Sequence, residues 1–170
     1  MAALVDVPAP VAVGVVQPAL PADRDQILEI AAATGVFNTI ELDVVVELLE
    51  GYYRGPEESG YHFLSYREDG RVWGFATWGP RPLSEHGYDL YWIATHPSAQ
   101  RRGVARALMA EVDACIRARG GGWVLIETSS TPPYAAARAF YERCGYQCLA
   151  VLDGYYRDGD GLVIYVKRLG

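Results

Sequence analysis

The residue types best suited to chemistry lie together in one short segment near the middle of the chain. This segment reads Gln100-Arg101-Arg102-Gly103, and an amphipathic run begins immediately after it at Val104. The first N–H groups of a helix are unpaired, and its N-terminus carries a partial positive charge. A glycine lets a bulky anion approach the backbone closely, and arginine adds permanent charge and forked donors. We therefore predict that the segment binds a phosphate or pyrophosphate group.

Two kinds of element must position this segment. Residues 88–95 are rich in aromatic and β-branched side chains, which is typical of a strand. Residues 104–119 carry apolar side chains at helical spacing, which predicts a helix with one buried side. Glycines at 120–122 end that helix, and the apolar run 123–128 predicts a buried strand. Such a strand–helix–strand unit implies a parallel pair of strands with a right-handed crossover.

The rest of the chain predicts further helices and strands around this unit. A turn that contains Gly70 indicates a β-hairpin, and two prolines at 132 and 133 open a late helix. The predicted strands cover residues 11–16, 61–66, 72–78, 146–152 and 162–167, with a loop at 153–160, and the helices cover 41–53, 134–144 and a segment from the N-cap Asp23 to about 33. Because no repeat or linker divides the chain, we predict one α/β domain on a mixed sheet, residues 11–170, after a flexible N-terminal tail, residues 1–10.

The composition disfavours several classes of function. The chain has 170 residues and a formal charge of −6, which disfavours nucleic acid as a partner because phosphates are neutralised by a basic face. The sequence has no apolar run of about 18 residues, so it predicts no membrane-spanning helix. The scattered histidines predict no metal site, and three cysteines are too few for a disulfide framework, so the cytoplasm is the expected compartment. Those cysteines are Cys115, Cys144 and Cys148.

The order of elements and the segment from Gln100 to Ala105 resemble the GNAT superfamily of acyl-CoA-dependent N-acyltransferases. The phosphate loop of that family reads Gln/Arg-x-x-Gly-x-Gly/Ala. A second stretch matches the family pattern Ala-x-x-Phe-Tyr-x-x-x-Gly-aromatic, and it consists of Ala137, Phe140, Tyr141, Gly145 and Tyr146. The likeness covers about residues 61–168, and Tyr134 stands where many members carry asparagine.

The resemblance implies a mixed sheet that is splayed between strands 88–95 and 123–128 and flanked by helices. Acetyl-CoA would lie in the gap as a co-substrate, without any metal. The resemblance places the pantetheine amides on the backbone of Ile93, Ala94 and Thr95. It places the pyrophosphate on the amides of Arg102 to Arg106. The candidate cofactor-binding residues of the loop and the first helical turn are Gln100, Arg101, Arg102, Gly103, Val104, Ala105 and Arg106.

Two side chains are candidates for catalysis, Tyr141 from its position in the matched motif and Glu127 from the residues around it. Tyr141 is the candidate acid, since a phenol with a pKa of about 10 can hand a proton to a departing thiolate. The alternative is that Tyr141 is a core aromatic residue beside Phe140. Glu127 is the preferred base, acting directly or through a water, because a carboxylate at the end of an apolar strand is costly unless it is used or paired. The alternative is that Glu127 pairs with an arginine or caps a loop amide.

Three residues of the first parallel strand complete this hypothesis. An amide near Ala94 is the expected oxyanion donor. Asp89 is expected to lie about 15 Å back along the strand, at about 3.3 Å per residue, and is therefore not the preferred base. Tyr91 is a reserve candidate, expected on the same side of the strand as Ile93.

We therefore predict direct transfer of an acetyl group to a primary amine of a small molecule or peptide. The alternative is a non-catalytic CoA-binding or regulatory module with the same fold. Four tyrosines on the second helix and in the last hairpin are candidates for the acceptor pocket, although covering the sheet explains them nearly as well. They are Tyr52, Tyr53, Tyr155 and Tyr156. A monomer and a homodimer are both compatible with the sequence.

Overall fold

A seven-stranded mixed sheet forms the centre of the computed structural model, which describes residues 13–170. The strands are β1 (Val15–Pro18), β2 (His62–Glu68), β3 (Arg71–Pro80), β4 (Gly87–Thr95), β5 (Trp123–Ser129), β6 (Gln147–Arg157) and β7 (Asp160–Arg168). Their order in the sheet is β1-β2-β3-β4-β5-β7-β6. The predicted tail, residues 1–10, and the first two residues of the predicted strand 11–16 lie outside the described residues.

The sheet is divided by one short parallel pairing. Strands β1 to β4 pair antiparallel, as do β5, β7 and β6, whereas β4 and β5 are parallel. The parallel pairing joins only Gly87 to Trp123, Tyr88 to Val124 and Asp89 to Leu125. Beyond Asp89 the two strands have no register, so the sheet opens toward their carboxyl ends. The mixed α/β fold and its splay agree with the prediction.

Helices cover both faces of the sheet. They are α1 (Arg24–Ala33), α2 (Thr39–Arg54), α3 (Pro56–Ser59), α4 (Val104–Ala118) and α5 (Ala135–Arg143). On one face, α4 buries an apolar stripe against β2, β3 and β4. On the other face, α1 and α2 pack over a separate cluster around Phe63 and Phe75. Truncation of a fully buried leucine such as Leu108 or Leu49 to alanine would cost about 2–5 kcal/mol of unfolding free energy.

Gly74 on β3 sets the position of the α4 N-terminus. A Cβ at this position would lie 2.6 Å from Cγ1 of Val104 and 2.9 Å from the carbonyl oxygen of Ala94. Any side chain here would therefore push the start of α4 away from the sheet. Because Gly74 has no side chain, the first turn of α4 can pack directly beside the carboxyl end of β4.

Two predicted boundaries were wrong. The expected loop 153–160 is mostly strand, because β6 continues to Arg157 and β7 begins at Asp160. One tight turn reverses the chain, with Gly159 at a φ of +80°, a conformation that glycine adopts without strain. Helix α2 begins at Thr39, before the predicted residue 41, because the side chain of Asn38 accepts a hydrogen bond from the amide of Glu41 in a capping box.

Asp23 occupies the predicted N-cap position of α1, but its side chain makes no cap hydrogen bond to that helix. The carboxylate is fully buried, where it accepts from the hydroxyl of Ser65 and pairs with the guanidinium of Arg67. The backbone N–H of Leu20 also donates to it. A buried carboxylate requires such partners, so Asp23 fixes the turn before α1 against β2.

Candidate active site

The opening between β4 and β5 exposes backbone groups that a regular sheet would pair. Strand β4 remains paired with β3 along its length, but it has no partner on its β5 side beyond Asp89. The predicted cofactor residues Ile93, Ala94 and Thr95 lie in this part of β4. The hydroxyl oxygen of Thr95 is buried, and within the described chain it has no hydrogen-bond partner. Buried polar atoms are normally satisfied, so this edge is suited to a ligand with amide donors and acceptors.

A β-bulge in β4 places two aromatic residues on the same face of the sheet. Thr77 pairs with Trp92 and Trp78 pairs with Leu90, so Tyr91 is the extra residue. The Tyr91 ring lies 5.6 Å from the ring of Tyr61. Tyr61 and Trp92 both pack against the cluster around Phe63 and Phe75, beneath α1 and α2.

The bulge overturns one prediction about the strand. Ile93 packs into the cluster beneath α4, so Tyr91 and Ile93 lie on opposite faces of the sheet, and the expectation that they share a side was wrong. Regular alternation would have placed them together. The extra residue shifts that alternation by one position, and the sequence carried no signal for it.

A cavity of about 520 Å³ lies where β4 and β5 separate, and we call it the apex pocket. Its lining comes from β4, from β5 and from the segment that connects β3 to β4. The lining residues are Arg81, Pro82, Asp89, Leu90, Tyr91, Trp92, Leu125 and Glu127. Its volume is within the range of small-molecule sites, which is about 300–1,000 Å³.

Two carboxylates and one guanidinium form the polar part of the apex pocket. Nη1 of Arg81 lies 2.6 Å from a carboxylate oxygen of Asp89, and Nη2 lies 3.7 Å from a carboxylate oxygen of Glu127. Burial raises the pKa of Asp89, Arg81 acts in the opposite direction, and the charge of Glu127 adds to the rise. Glu127 therefore lies at the splay and has an arginine partner, as its alternative role expected, so this position is compatible with both the base and the paired carboxylate.

Sequence reasoning missed the roles of Asp89 and Arg81 in this pocket. From the sequence, Asp89 was expected far from the site because it precedes Ala94 by five residues. In the structure, the pairing of β4 with β5 ends at Asp89, so this residue lies where the two strands separate. The available signal was an acidic residue inside an otherwise aromatic strand, which is costly unless it is paired. For Arg81 the sequence offered no comparable signal.

A second cavity, of about 780 Å³, lies at the start of α4, and we call it the phosphate pocket. Arg101, Gly103, Ala105 and Arg106 line it, together with residues of α5 and β7. Gly103 has a φ of +84° at the N-cap of α4, where no side chain caps the helix and no acidic residue occupies the first turn. The first amides of α4 are therefore available to an anion.

The charges around the phosphate pocket are mostly positive. Arg101, Arg106, Arg143 and Lys167 line it, and Asp113 is the acidic member of the lining. Asp113 is buried and is paired with Lys167, with 2.6 Å between Nζ and the carboxylate oxygen.

Arg102, a predicted cofactor residue, directs its side chain elsewhere. Its guanidinium pairs with Glu68 and lies 5.6 Å from the centre of the Trp73 ring. Among the predicted loop residues that do not line the phosphate pocket, Val104 is buried in the core beneath α4, and Gln100 is exposed after a short 3₁₀ turn. Of these three residues, only the backbone is suited to the phosphate role.

Tyr141 lies in the core and not on the surface of either pocket. It is 7% exposed, and its ring packs at 5.8 Å from Tyr165 and 6.4 Å from Tyr146. Burial raises the pKa of its phenol above the usual range, and the neighbouring Tyr134 adds to the rise. The phenol therefore keeps its proton. Both of its predicted roles, as acid and as core aromatic, are compatible with this position.

The four tyrosines expected near the acceptor fall into two groups. The hydroxyl of Tyr52 donates to the carbonyl of Ala19 at 3.0 Å, and that of Tyr53 donates to the carbonyl of Leu20 at 2.7 Å, so both tie α2 to the turn after β1. Tyr155 and Tyr156 are exposed on β6. Burial and then the charge of Glu127 raise the pKa of Tyr156, although Tyr156 does not line the apex pocket.

Residues 13–170 contain no group of three or more His, Cys, Asp or Glu side chains arranged to hold a metal ion. In the same part of the chain, no helix combines the length and apolar character needed to cross a membrane. Cys115, Cys144 and Cys148 are free thiols.

Residues 59–148 match the family described as acetyltransferase (GNAT) domain. A solved structure from Desulfovibrio desulfuricans, assigned to the GNAT acetyltransferases, is 39% identical and has a TM-score of 0.89, over 92% of this chain and 99% of that one. The Escherichia coli ribosomal-protein-S18-alanine N-acetyltransferase is 19% identical, with a TM-score of 0.71 over 92% and 94% of the two chains.

An acetyltransferase structure from Salmonella typhimurium with acetyl-CoA is 20% identical, with a TM-score of 0.73 over 92% and 94% of the two chains. These two more distant structures share the fold. No curated protein has a significantly similar sequence. The family match and the 39% identity over nearly the whole chain lead to one conclusion: this chain belongs to the GNAT family and is an acetyl-transferring enzyme.

Proposed function

We propose that the protein is an N-acetyltransferase that moves the acetyl group of acetyl-CoA directly to a primary amine of a small molecule or peptide. The observation that carries this proposal is the order of groups along β4 and the segment that follows it. Beyond Asp89, at the apex pocket, β4 has no partner on its β5 side, and after Thr95 the chain leads to the uncapped start of α4 at Gly103. A phosphate-bearing carrier with an amide-containing arm is complementary to that sequence of groups.

The residues present fit such a carrier at three places. The amides from Arg102 to Arg106 would hold the pyrophosphate, with the side chains of Arg101 and Arg106 adding charge. The backbone of Ile93, Ala94 and Thr95 would pair with the pantetheine amides. The unpartnered hydroxyl of Thr95 supports this assignment because a ligand group at that edge would satisfy it.

Acetyl-CoA supplies the thioester from which the acetyl group is transferred. Glu127 accepts the proton that the attacking nitrogen loses, directly or through a water, as the C–N bond forms. A free amide of β4 near Ala94 donates to the carbonyl oxygen while it carries negative charge. Tyr141 donates its phenolic proton toward the sulfur as the C–S bond breaks. Burial raises the pKa of Tyr141, which keeps the phenol protonated before transfer and also makes it a weaker acid, so the proton moves only as negative charge develops on the sulfur.

The cysteines of α4 and of the α5 C-terminus are poor candidates for a covalent acyl-enzyme. Cys115 lies within α4 and Cys144 follows α5, and burial raises the pKa of both thiols, so neither is a good nucleophile. A direct transfer within a ternary complex is therefore the proposed route. The free thiols also support the cytoplasm as the compartment.

The proposal is tested by thiol release from acetyl-CoA with a panel of amines, together with calorimetric titration of CoA. Gly103→Ala and Gly120→Ala form a matched pair, because both glycines have a positive φ, +84° and +79°, and they flank the two ends of α4. Each substitution should cost about 1–2 kcal/mol of unfolding free energy. Only Gly103→Ala should weaken CoA binding, by about tenfold or more.

Absence of any heat of CoA binding to the wild type would overturn the proposal. Equal CoA affinities of the two alanine variants would overturn the assignment of the phosphate to the start of α4. CoA binding without thiol release from acetyl-CoA, with every amine of the panel, would favour a CoA-binding module.

A further inference from the structure

The charge and the walls of the apex pocket both limit which acceptor it can bind. Its charged groups come from two strands and a loop, and its walls are apolar. This inference rests on the proposed function, since it assumes that the acceptor approaches the thioester through the apex pocket. The experiment below therefore includes a binding measurement that does not depend on turnover.

The charge of the pocket is unbalanced. Asp89 and Glu127 share a single guanidinium, which lies 2.6 Å from one carboxylate and 3.7 Å from the other. With both carboxylates ionised, these three groups carry one excess negative charge. An entering ammonium group would compensate that charge. An entering carboxylate would meet two like charges and an arginine whose charge is already committed.

Further acidic groups extend this negative region beyond the pocket. The charges of Glu127, Asp160 and Glu41 all raise the pKa of Tyr156, after the larger effect of burial. Glu41 and Asp160 likewise raise the pKa of Tyr134 after burial. These groups belong to α2, β5 and β7. Asp160 is also paired with Arg157, at 3.6 Å, so Glu41 and Glu127 contribute most of the negative charge beside these tyrosines.

The walls of the pocket suit a hydrocarbon or aromatic body. Leu125 and Pro82 line the cavity, and the bulge directs the rings of Tyr91 and Trp92 to the face on which Asp89 and Glu127 lie. Burial raises the pKa of Tyr91 to about 12, so its ring remains a neutral phenol. Aromatic faces also attract ammonium groups when both are shielded from water.

We infer that the apex pocket selects a small primary amine with an apolar or aromatic body and rejects acceptors that carry a carboxylate next to the amine. Asp89 anchors the ammonium form of the acceptor on entry, and this group loses one proton to solvent before its neutral nitrogen attacks the thioester. Arg81 is a positioning residue that holds Asp89 and Glu127 in place without offering a site to an anion.

The test compares three acceptors with one carbon skeleton: phenethylamine, phenylalanine amide and phenylalanine. We expect kcat/KM for the amine and the amide to exceed that for the amino acid by at least tenfold. The amide is the control for size, because it has the bulk of the carboxylate without its charge. An amide as poor as phenylalanine would show that bulk excludes the substituent, and an amino acid as good as the amine would show no exclusion. Either result overturns the inference, while the proposed acetyl transfer stands.

Two variants should move this selectivity in opposite directions. Asp89→Asn removes the excess negative charge, so the ratio of amine to amino acid should fall severalfold. Arg81→Gln leaves both carboxylates without their cation, so the ratio should rise, although kcat falls. Because each ratio is measured within a single protein preparation, partial misfolding does not change it. Asp25→Asn, at an exposed carboxylate on α1, is the control and should leave the ratio unchanged. Unchanged ratios in both pocket variants overturn the roles given to Asp89 and Arg81.

Calorimetry with CoA present decides the inference if no acceptor is turned over. Tighter binding of phenethylamine than of phenylalanine would support it even though the proposed function had failed. Equal binding, reversed binding, or no binding of either compound at millimolar concentration would overturn it.

Discussion

The two pockets, at the two ends of the proposed cofactor path, differ in how they are built. The phosphate pocket takes its essential groups from consecutive residues, Arg101 to Arg106, and from the backbone amides of one helix start. The apex pocket takes Arg81, Asp89 and Glu127 from a loop and two strands that meet only in the folded sheet. The first end is therefore local and permanently charged. The second is assembled from distant residues and contains groups that titrate.

This difference leads to different expectations for the two ends. Guanidinium groups and backbone amides keep their charge and dipole across the working pH range, so binding at the phosphate pocket should respond to salt more than to pH. Carboxylates accept protons, so chemistry at the apex pocket should respond to pH. Each variant below tests whether an effect stays confined to one end.

The largest effect is expected at the apex. Glu127→Gln should lower kcat/KM about 10²- to 10⁴-fold, because the amide cannot accept the proton of the attacking amine. CoA affinity, measured by calorimetry, should not change. A loss in kcat/KM below about threefold would show that another group is the base. A parallel loss of CoA affinity would show that the two pockets do not act independently.

Tyr141→Phe should lower kcat by about 10- to 100-fold without changing CoA affinity, because it removes the proton supplied to the departing sulfur. Tyr165→Phe is the matched control, since the two rings are 5.8 Å apart in the same cluster. The hydroxyl of Tyr165 donates to Glu142 at 2.9 Å, so its removal should cost about 1 kcal/mol of unfolding free energy with kcat retained. Steady-state kinetics and chemical denaturation measure the two effects. If both variants lost equal activity, Tyr141 would be a core aromatic residue.

At the phosphate pocket, Arg106→Gln should raise the KM for acetyl-CoA about tenfold and leave kcat and the acceptor KM within twofold. The dependence of cofactor binding on salt should also become weaker. Arg117→Gln, in the last turn of the same helix, is the control and should change neither. An unchanged KM for acetyl-CoA in Arg106→Gln would show that the backbone alone supplies the phosphate site.

The smallest effect is expected midway along the proposed cofactor path. Thr95→Val and Thr77→Val each remove a buried hydroxyl that has no hydrogen-bond partner in residues 13–170. Both should keep or raise the unfolding free energy, by about 1 kcal/mol, since each hydroxyl is desolvated without compensation. Only Thr95→Val should weaken CoA binding, by about threefold to tenfold. Calorimetry that found equal affinities would exclude the hydroxyl of Thr95 from the cofactor site.

Much of the phosphate end could be predicted from the sequence. The amphipathic spacing of α4 and the position of Gly103 are local patterns, and both are present in the structure. The side-chain partners of the loop arginines were not predictable, because Arg102 is drawn to Glu68 on β2, a residue distant in the sequence. Glu127 was identified because a carboxylate in an apolar strand stands out. Its contact with Arg81 depends on how the segment between β3 and β4 folds back over the sheet.

By itself, the sequence determined the helix start at Gly103, the parallel pair β4 and β5, and the candidate base Glu127, whereas the acid role of Tyr141 came from the resemblance to the GNAT superfamily. These follow from residues close together in the chain, because helix dipoles, glycine conformations and apolar periodicity are properties of short segments. Only the tertiary structure decided the bulge at Tyr91, the burial of Tyr141 and the grouping of Asp89 with Arg81 and Glu127. Those features depend on strand register and packing between distant segments, where one extra residue reverses which side chains share a face.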